Sequence, residues 1–119
     1  MVETQNSKPY DLGERTLKFA KRARGYVRNL PKTLVNLEDG KQFVKSSGSV
    51  GANYIEAEEA LSKKDFVLRI KISRKEAKES RYWLQLIEPH EDQMDEQKFL
   101  IQESTELMKI FGSIIGKSQ

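Results

Sequence analysis

The chain has 119 residues, of which 33% are charged and 37% hydrophobic, with no cysteine and a formal net charge of +3. This length suits one domain with its own core, and the missing cysteines exclude disulfides, thiolate zinc sites and cysteine nucleophiles while suiting a reducing compartment. No apolar run approaches the roughly 18 residues of a membrane span, so we expect a soluble cytoplasmic protein with no membrane partner.

The first predicted helix covers residues 11–30 and follows a flexible arm at residues 1–10. Asp11 and Glu14 have the spacing of a capping box. Pro31 ends the helix, because the residue before a proline is pushed out of the α region. Apolar residues recur along one face at helical spacing, and the other faces are basic.

The second helix is predicted to begin between residues 33 and 36, with Asn36 and Asp39 as its capping pair. Local propensity predicts a loop at Ser46-Ser47-Gly48-Ser49 and Gly51, since each glycine costs a helix about 1 kcal/mol relative to alanine. A helical period that runs straight through this segment nevertheless gathers its apolar and small residues on one side. We therefore predict one continuous helix with a thin, closely packed face.

The third helix is predicted over residues 63–87, with Ser62 and Asp65 as its capping signal. The last helix runs from about residue 94 to 115, with Gly112 and Gly116 marking a fraying end. One stripe of the third helix has alternating steps of four and three, which indicates a buried seam: Phe66, Ile70, Ser73, Ala77, Ser80, Leu84 and Ile87. Four helices with short connections predict an all-α protein, an antiparallel up-down-up-down four-helix bundle over residues 11–119.

Catalysis has little support in the sequence. The one histidine, His90, lies in an acidic loop, so no histidine cluster exists for a metal or a triad. Glu56, Glu58 and Glu59 lack the Glu-x-x-His companions of a di-metal bundle site. We predict no catalytic residue, no metal and no cofactor, and hence no enzymatic role.

A basic stripe on the third helix is the main candidate for function. A solvated helix face is the simpler interpretation of such a run. The sharper one is a surface that follows a phosphate backbone over about 15 Å, bordered by Tyr82 as a stacking platform. The stripe occupies one arc without Asp or Glu: Lys63, Lys64, Lys71, Arg74, Lys75, Lys78 and Arg81.

Charge is also uneven along the chain. Residues 1–87 hold 18 Lys/Arg and 11 Asp/Glu, whereas residues 88–119 hold 3 and 7. A basic body with an acidic last quarter suits binding of a polyanion, or contact between the basic surface of one subunit and the acidic surface of another.

The third helix has more apolar surface than one seam requires. Either it is the most buried of the four helices, or the additional strip meets another subunit; a surface helix with a slightly rotated seam is the third alternative. Glu76 falls within this wide arc and should be paired with Arg or Lys, because an unpaired buried charge is costly. The candidate subunit contacts are Leu68, Ile72, Glu76, Trp83 and Leu86.

Two segments carry a family resemblance. The run from Gln42 to Ala57, QFVKSSGSVGANYIEA, resembles the signature of the bacterial four-helix-bundle family of 23S rRNA intervening-sequence proteins, and Lys64 to Leu84 resembles that family's third helix. The resemblance implies a ring-shaped homopentamer and no catalytic residues. It also extends to the accessory variability determinant of diversity-generating retroelements, a basic pentamer that works with a reverse transcriptase and RNA.

We therefore expect a non-enzymatic homo-oligomer, implied by the family to be a pentamer, that binds structured RNA or a reverse-transcriptase ribonucleoprotein through basic helix faces. The alternative is a protein-binding scaffold without nucleic-acid contact. The candidate RNA contacts are Lys64, Lys71, Arg74, Lys75, Lys78 and Arg81 on the third helix, and Arg15, Lys18 and Arg22 on the first.

Overall fold

A computed structural model describes residues 11–119, and the predicted arm at residues 1–10 lies outside them. The described part contains no strand, and none of its helices is long and apolar enough to cross a membrane. The prediction of an all-α protein is confirmed. Four α-helices and one 3-10 turn follow each other within residues 11–119: α1 (Leu12–Arg28), α2 (Leu34–Glu58), α3 (Lys63–Leu86), the turn Glu91–Gln93, and α4 (Met94–Ser118).

Each helix packs against the next one along the chain, and α1 also packs against α4. Contacts between α2 and α3 give their relative direction. Ser73 Oγ donates a hydrogen bond to the Val50 carbonyl at 2.9 Å, and the hydroxyl oxygens of Ser80 and Ser46 lie 2.9 Å apart. Residue numbers thus rise along α3 as they fall along α2, and the ion pairs between α1 and α4 have the same sense. The bundle is antiparallel, as predicted.

The core draws large side chains from all four helices. Phe19 of α1, Phe43 of α2 and Phe111 of α4 are at most 1% exposed, and Ile70 and Leu84 of α3 are fully buried. The rings of Phe19 and Phe43 meet edge to face with centroids 6.4 Å apart. Burying each such side chain stabilises the fold by roughly 1.5–3 kcal/mol.

The predicted seam of α3 is confirmed, and small residues make up much of it. Ser73, Ala77 and Ser80 are fully buried between the large residues of the seam. Their small side chains let α2 and α3 approach closely. The two buried hydroxyls have the partners on α2 already described, so burying them leaves no polar group unsatisfied.

The second helix is continuous, as predicted, because its glycines lie where α1 approaches most closely. A Cβ on Gly51 would lie 2.9 Å from Thr16 Oγ1, and one on Gly40 would lie 3.2 Å from Val27 Cγ1. At Gly51 no other residue leaves that space, and at Gly40 the Val27 side chain would have to move by a few tenths of an ångström. Packing of α1 against α2 therefore offsets the low helix propensity of glycine.

The helix starts are capped by side chains. Asp11 accepts a hydrogen bond from the Glu14 amide, and Ser62 accepts one from the Asp65 amide. The predicted cap of α2 was wrong by one turn: Thr33, not Asn36, is the N-cap and accepts from the Asn36 amide at 3.2 Å. Thr33 and Asn36 are both residue types that cap helices. In the fold they differ because Thr33 is exposed and Asn36 is buried.

Asn36 instead joins two connections at one end of the bundle. Its side chain is buried; Nδ2 donates to the carbonyls of Pro31 at 3.0 Å and Glu88 at 2.8 Å, and Oδ1 accepts from the Glu88 amide at 3.0 Å. The α1–α2 connection is thereby tied to the segment between α3 and α4.

The last helix is longer than predicted and extends through both glycines to Ser118. A Cβ on Gly112 would meet the Arg74 guanidinium at 3.6 Å, an ordinary contact with α3. Ile115, one turn further on, is only 6% exposed. Packing in this last part of α4 holds the helix together where local propensity alone predicts fraying.

Candidate nucleic-acid interface

The basic residues predicted on α3 lie on its solvent-facing side, next to α4. Arg81 Nη1 donates to Thr105 Oγ1 of α4 at 3.2 Å, and the Arg74 guanidinium lies against Gly112. Arg81 is partly buried by this contact, and the others are exposed: Lys63, Lys64, Lys71, Arg74, Lys75 and Lys78. None of these seven side chains forms an ion pair with a carboxylate of residues 11–119. Their charge is therefore not neutralised by the described part of the subunit.

Arg15, a predicted RNA contact on α1, points toward α4 instead. Its Nε lies 2.7 Å from Glu103 Oε2, and its Nη2 lies 2.8 Å from Glu106 Oε1. The hydrogen bond and negative charge of Glu103 raise the pKa of Arg15 further above its ordinary value, despite partial burial. Hydrogen bonds from Gln102 and Arg15 lower the pKa of Glu106. This guanidinium is engaged within the subunit.

Arg22, two helical turns after Arg15, also binds a carboxylate of α4. Its Nε lies 2.9 Å from Glu96 Oε2, and its guanidinium carbon lies 3.7 Å from the centroid of the Phe99 ring. The carboxylate and the ring face each occupy part of the Arg22 guanidinium, so less of it is free to bind another partner. Lys18, the third candidate on α1, is exposed, with Nζ 4.0 Å from Glu14 Oε1, which is the geometry of a weak surface pair.

Two lysines of α4 that the sequence analysis did not select lie on the side of the bundle that carries the α3 stripe. Lys98 is seven residues before Thr105, and Lys109 lies between Thr105 and Gly112, four residues after the first and three before the second. At 3.6 residues per turn, both share the solvent-facing side of α4 that borders α3. Both are exposed. We call these two lysines and the seven basic residues of α3 the basic face.

Three acidic residues of α4 form their ion pairs with α1 and not with these lysines. Glu96 and Glu103 point toward α1, where Arg22 and Arg15 bind them, and Glu106 is held by Arg15 as well. Glu96 and Glu103 thus lie on the flank of α4 that faces α1, whereas Glu106 lies nearer to Lys109, whose charge helps to lower its pKa. A charge sum along the sequence does not show that three of these acids are paired with α1.

The predicted subunit contacts on α3 form a partly exposed apolar strip on the side near α2. Leu68 is 54% exposed and Leu86 43% exposed, whereas Ile72 and Trp83 are partly buried. The Trp83 ring packs edge to face on Tyr82 with centroids 5.1 Å apart. Within the described subunit, α3 is not buried on all sides, so this strip is available for contact.

Glu76 lies beside this strip without the salt bridge that we predicted. No Lys or Arg of residues 11–119 lies within ion-pair distance of its carboxylate. Burial and the nearby Glu79 raise its pKa, and Lys75 and Lys45 oppose that change only from a distance. The prediction of a direct partner was wrong because Glu76 is only partly buried and keeps contact with water.

His, Cys, Asp and Glu side chains are the usual protein ligands of metal ions. No group of three or more His, Cys, Asp or Glu side chains in residues 11–119 is placed to bind a metal ion. His90 is exposed at the start of the 3-10 turn, where its amide donates to Gln93 Oε1 at 3.1 Å.

Comparison with known proteins places this bundle in a family. Residues 10–113 match the model of the 23S rRNA-intervening sequence protein family. A crystal structure of a protein of unknown function from Bacteroides thetaiotaomicron, assigned to the S23 ribosomal protein family, is 37% identical; the alignment covers 87% of this chain and 97% of that one with a TM-score of 0.73. No curated protein matches the chain. The chain belongs to the family of 23S rRNA-intervening sequence proteins.

Proposed function

We propose that this protein is a non-enzymatic, homo-oligomeric helical bundle that binds structured RNA, alone or in a ribonucleoprotein, through the basic stripe of α3. The observation that carries the proposal is the row of basic side chains on α3, all exposed except the partly buried Arg81, which forms no ion pair within residues 11–119. From Lys71 to Arg81 this row extends about 15 Å along the helix.

Such a row suits binding to a nucleic-acid backbone. Each Lys or Arg that meets a phosphate releases condensed counterions, and this release drives association at low salt. A side chain already held by a carboxylate gains less, because it must give up one partner for another. For this reason the proposed surface excludes Arg15 and Arg22, which α4 holds, and retains the candidates on α3.

Self-association would multiply this charge. The apolar strip that contains Leu68 and Leu86 supports a subunit contact, since exposed apolar patches often mark interfaces. An assembly would present one basic face per subunit, and several weak contacts to one RNA would then act together. The family resemblance implies that this assembly is a ring-shaped pentamer.

The experiment that tests the proposal is titration of stem-forming RNA, derived from 23S rRNA, at several salt concentrations, with binding followed by fluorescence anisotropy. We expect binding that weakens steeply with salt. Replacing Lys71, Arg74, Lys75 and Lys78 with Ala should weaken binding by well over tenfold. A matched control removes four exposed charges elsewhere, at Lys21, Arg28, Lys32 and Lys41, and should have a much smaller effect.

Absence of binding at low salt, or equal losses for the two quadruple variants, would overturn the proposal. The protein-binding scaffold would then be the better explanation. Exposed apolar side chains along α1 and α2 favour that second candidate, since Leu17, Leu37 and Ile55 are each more than half exposed. A scaffold would keep its protein partner after nuclease treatment.

A further inference from the structure

We propose that the basic face binds double-stranded rather than single-stranded RNA, with α3 and α4 each contacting one of the two phosphate backbones. This inference rests on the proposed function and adds to it the form of the RNA and two contact residues, Lys98 and Lys109. It follows from the two rows of charge and from the positions of the aromatic side chains.

The basic face has charge on two neighbouring helices. Lys71, Arg74, Lys78 and Arg81 follow α3, and Lys98 and Lys109 follow α4 over about 16 Å of helix. Packed helices lie about 8–10 Å apart. Because Arg81 contacts Thr105 and Arg74 contacts Gly112, Lys109 lies level with the middle of the α3 row, and Lys98 extends the charge beyond Arg81.

Two rows suit a duplex. A single strand has one backbone and needs one row of cations, whereas an A-form duplex presents two backbones on either side of a wide, shallow minor groove. Proteins recognise that groove largely by its shape and through phosphate and 2′-hydroxyl contacts. Lys98 and Lys109 are two of the three basic residues in the acidic last quarter of the chain, and both lie beside α3.

The aromatic residues of α3 and α4 lead to the same conclusion. Proteins that bind single strands stack exposed bases on aromatic rings. Here Phe111 is buried in the core, Phe99 lies under Arg22, and Trp83 packs on the α2 side of α3. Tyr82 is exposed and packs against Trp83, and it lies one turn after Lys78 on the side of α3 that points away from α4. Among residues 11–119, no aromatic side chain lies between the two rows of basic residues. The two rows are therefore suited to contact the phosphate backbones of the RNA and not its bases.

The test compares an RNA duplex of about 20 base pairs with one unpaired strand of the same length, across a range of salt concentrations. We expect the duplex to bind at least about tenfold more tightly. The variant Lys98→Gln/Lys109→Gln should bind the duplex about tenfold more weakly, with a salt slope smaller by about 2. Its binding to the single strand should be unchanged.

The matched control is Lys21→Gln/Lys41→Gln, which removes the same charge from α1 and α2. Both variants replace exposed lysines, and circular dichroism should show unchanged helix content. Equal or tighter binding of the single strand, or equal effects of the two variants on the duplex, would overturn the inference. In those outcomes the α3 quadruple variant would still lose RNA binding if the proposed function is correct. Absence of binding to either RNA would overturn both.

Discussion

Amide side chains close one end of the bundle. Gln93 Nε2 donates to the Tyr26 carbonyl in the last turn of α1, and Gln97 Nε2 donates to the Leu84 carbonyl in the last turn of α3. Carbonyls in the last turn of a helix lack the amide four residues on, so Gln97 supplies a partner for the Leu84 carbonyl, and Gln93 adds one for the Tyr26 carbonyl, which also accepts from the Asn29 amide. With Asn36, they hold the connections at this end in place. None was predicted, because most of these bonds join different helices or connections.

The effect of a glycine on stability also depends on its neighbours. Replacing two of the glycines with alanine should therefore change the free energy of unfolding in opposite directions. Gly51→Ala should destabilise the fold by about 1 kcal/mol or more, because the new methyl group would overlap the buried Thr16 side chain, which donates to the Leu12 carbonyl. Gly25→Ala should stabilise it by up to about 1 kcal/mol, since a Cβ there meets nothing within 4 Å. Urea denaturation at fixed protein concentration measures both. Stabilisation by the change at Gly51 would contradict the packing explanation.

At the scale of the helix, local patterns predicted much of this fold. The caps at Asp11 and Ser62 and the seam of α3 depend on residues three or four apart, and all were confirmed. The continuity of α2 was also predicted correctly, against the local propensity of its glycines. The sequence did not predict which helix packs against each helix face. The pairing of Arg15 with Glu103, for example, depends on how α1 and α4 lie side by side.

The ion pairs between α1 and α4 should contribute measurably to stability, unlike a surface pair within α1. A double-mutant cycle on Arg15→Met and Glu103→Gln should give a coupling of about 1–2 kcal/mol, because the side chains are only 25% and 14% exposed and share two hydrogen bonds. The cycle on Lys18 and Glu14, which are 74% and 67% exposed, should give less than about 0.5 kcal/mol. Equal couplings would contradict a specific role for the α1–α4 contact.

The stability that Glu106 contributes through its contact with Arg15 should also depend on pH. The pKa of Glu106 is lowered in the folded state, with hydrogen bonds from Gln102 and Arg15 as the leading causes. A lowered carboxyl pKa contributes stability at neutral pH, and that contribution is lost as the pH falls from the ordinary value of 4.5 through the folded-state value. Exposure of Glu106 to water keeps the effect small. Glu106→Gln should therefore flatten the acid side of the stability profile slightly.

At the scale of the molecule, the arrangement of charge resolves a difficulty in the sequence. Residues 88–119 have more acidic than basic residues, which argues against RNA binding if charge is summed along the chain. Folding turns three of those acids toward α1 and leaves Lys98 and Lys109 beside the α3 stripe. The site therefore combines a stripe that helical periodicity predicted with two lysines that only the packing of α3 against α4 brings beside it.

The apolar strip of α3 provides the last prediction, which concerns assembly. Light scattering should give a mass several times the 13.8 kDa of one chain. Leu68→Lys/Leu86→Lys should shift the protein toward the monomer, because burying lysine charge in a subunit contact is costly, and the fluorescence of Trp83 should change with it. The control Leu61→Lys alters a side chain that is 99% exposed in the α2–α3 connection and should leave the mass unchanged. A wild-type monomer at micromolar concentration would contradict self-assembly, and an assembled double variant would place the contact on another face.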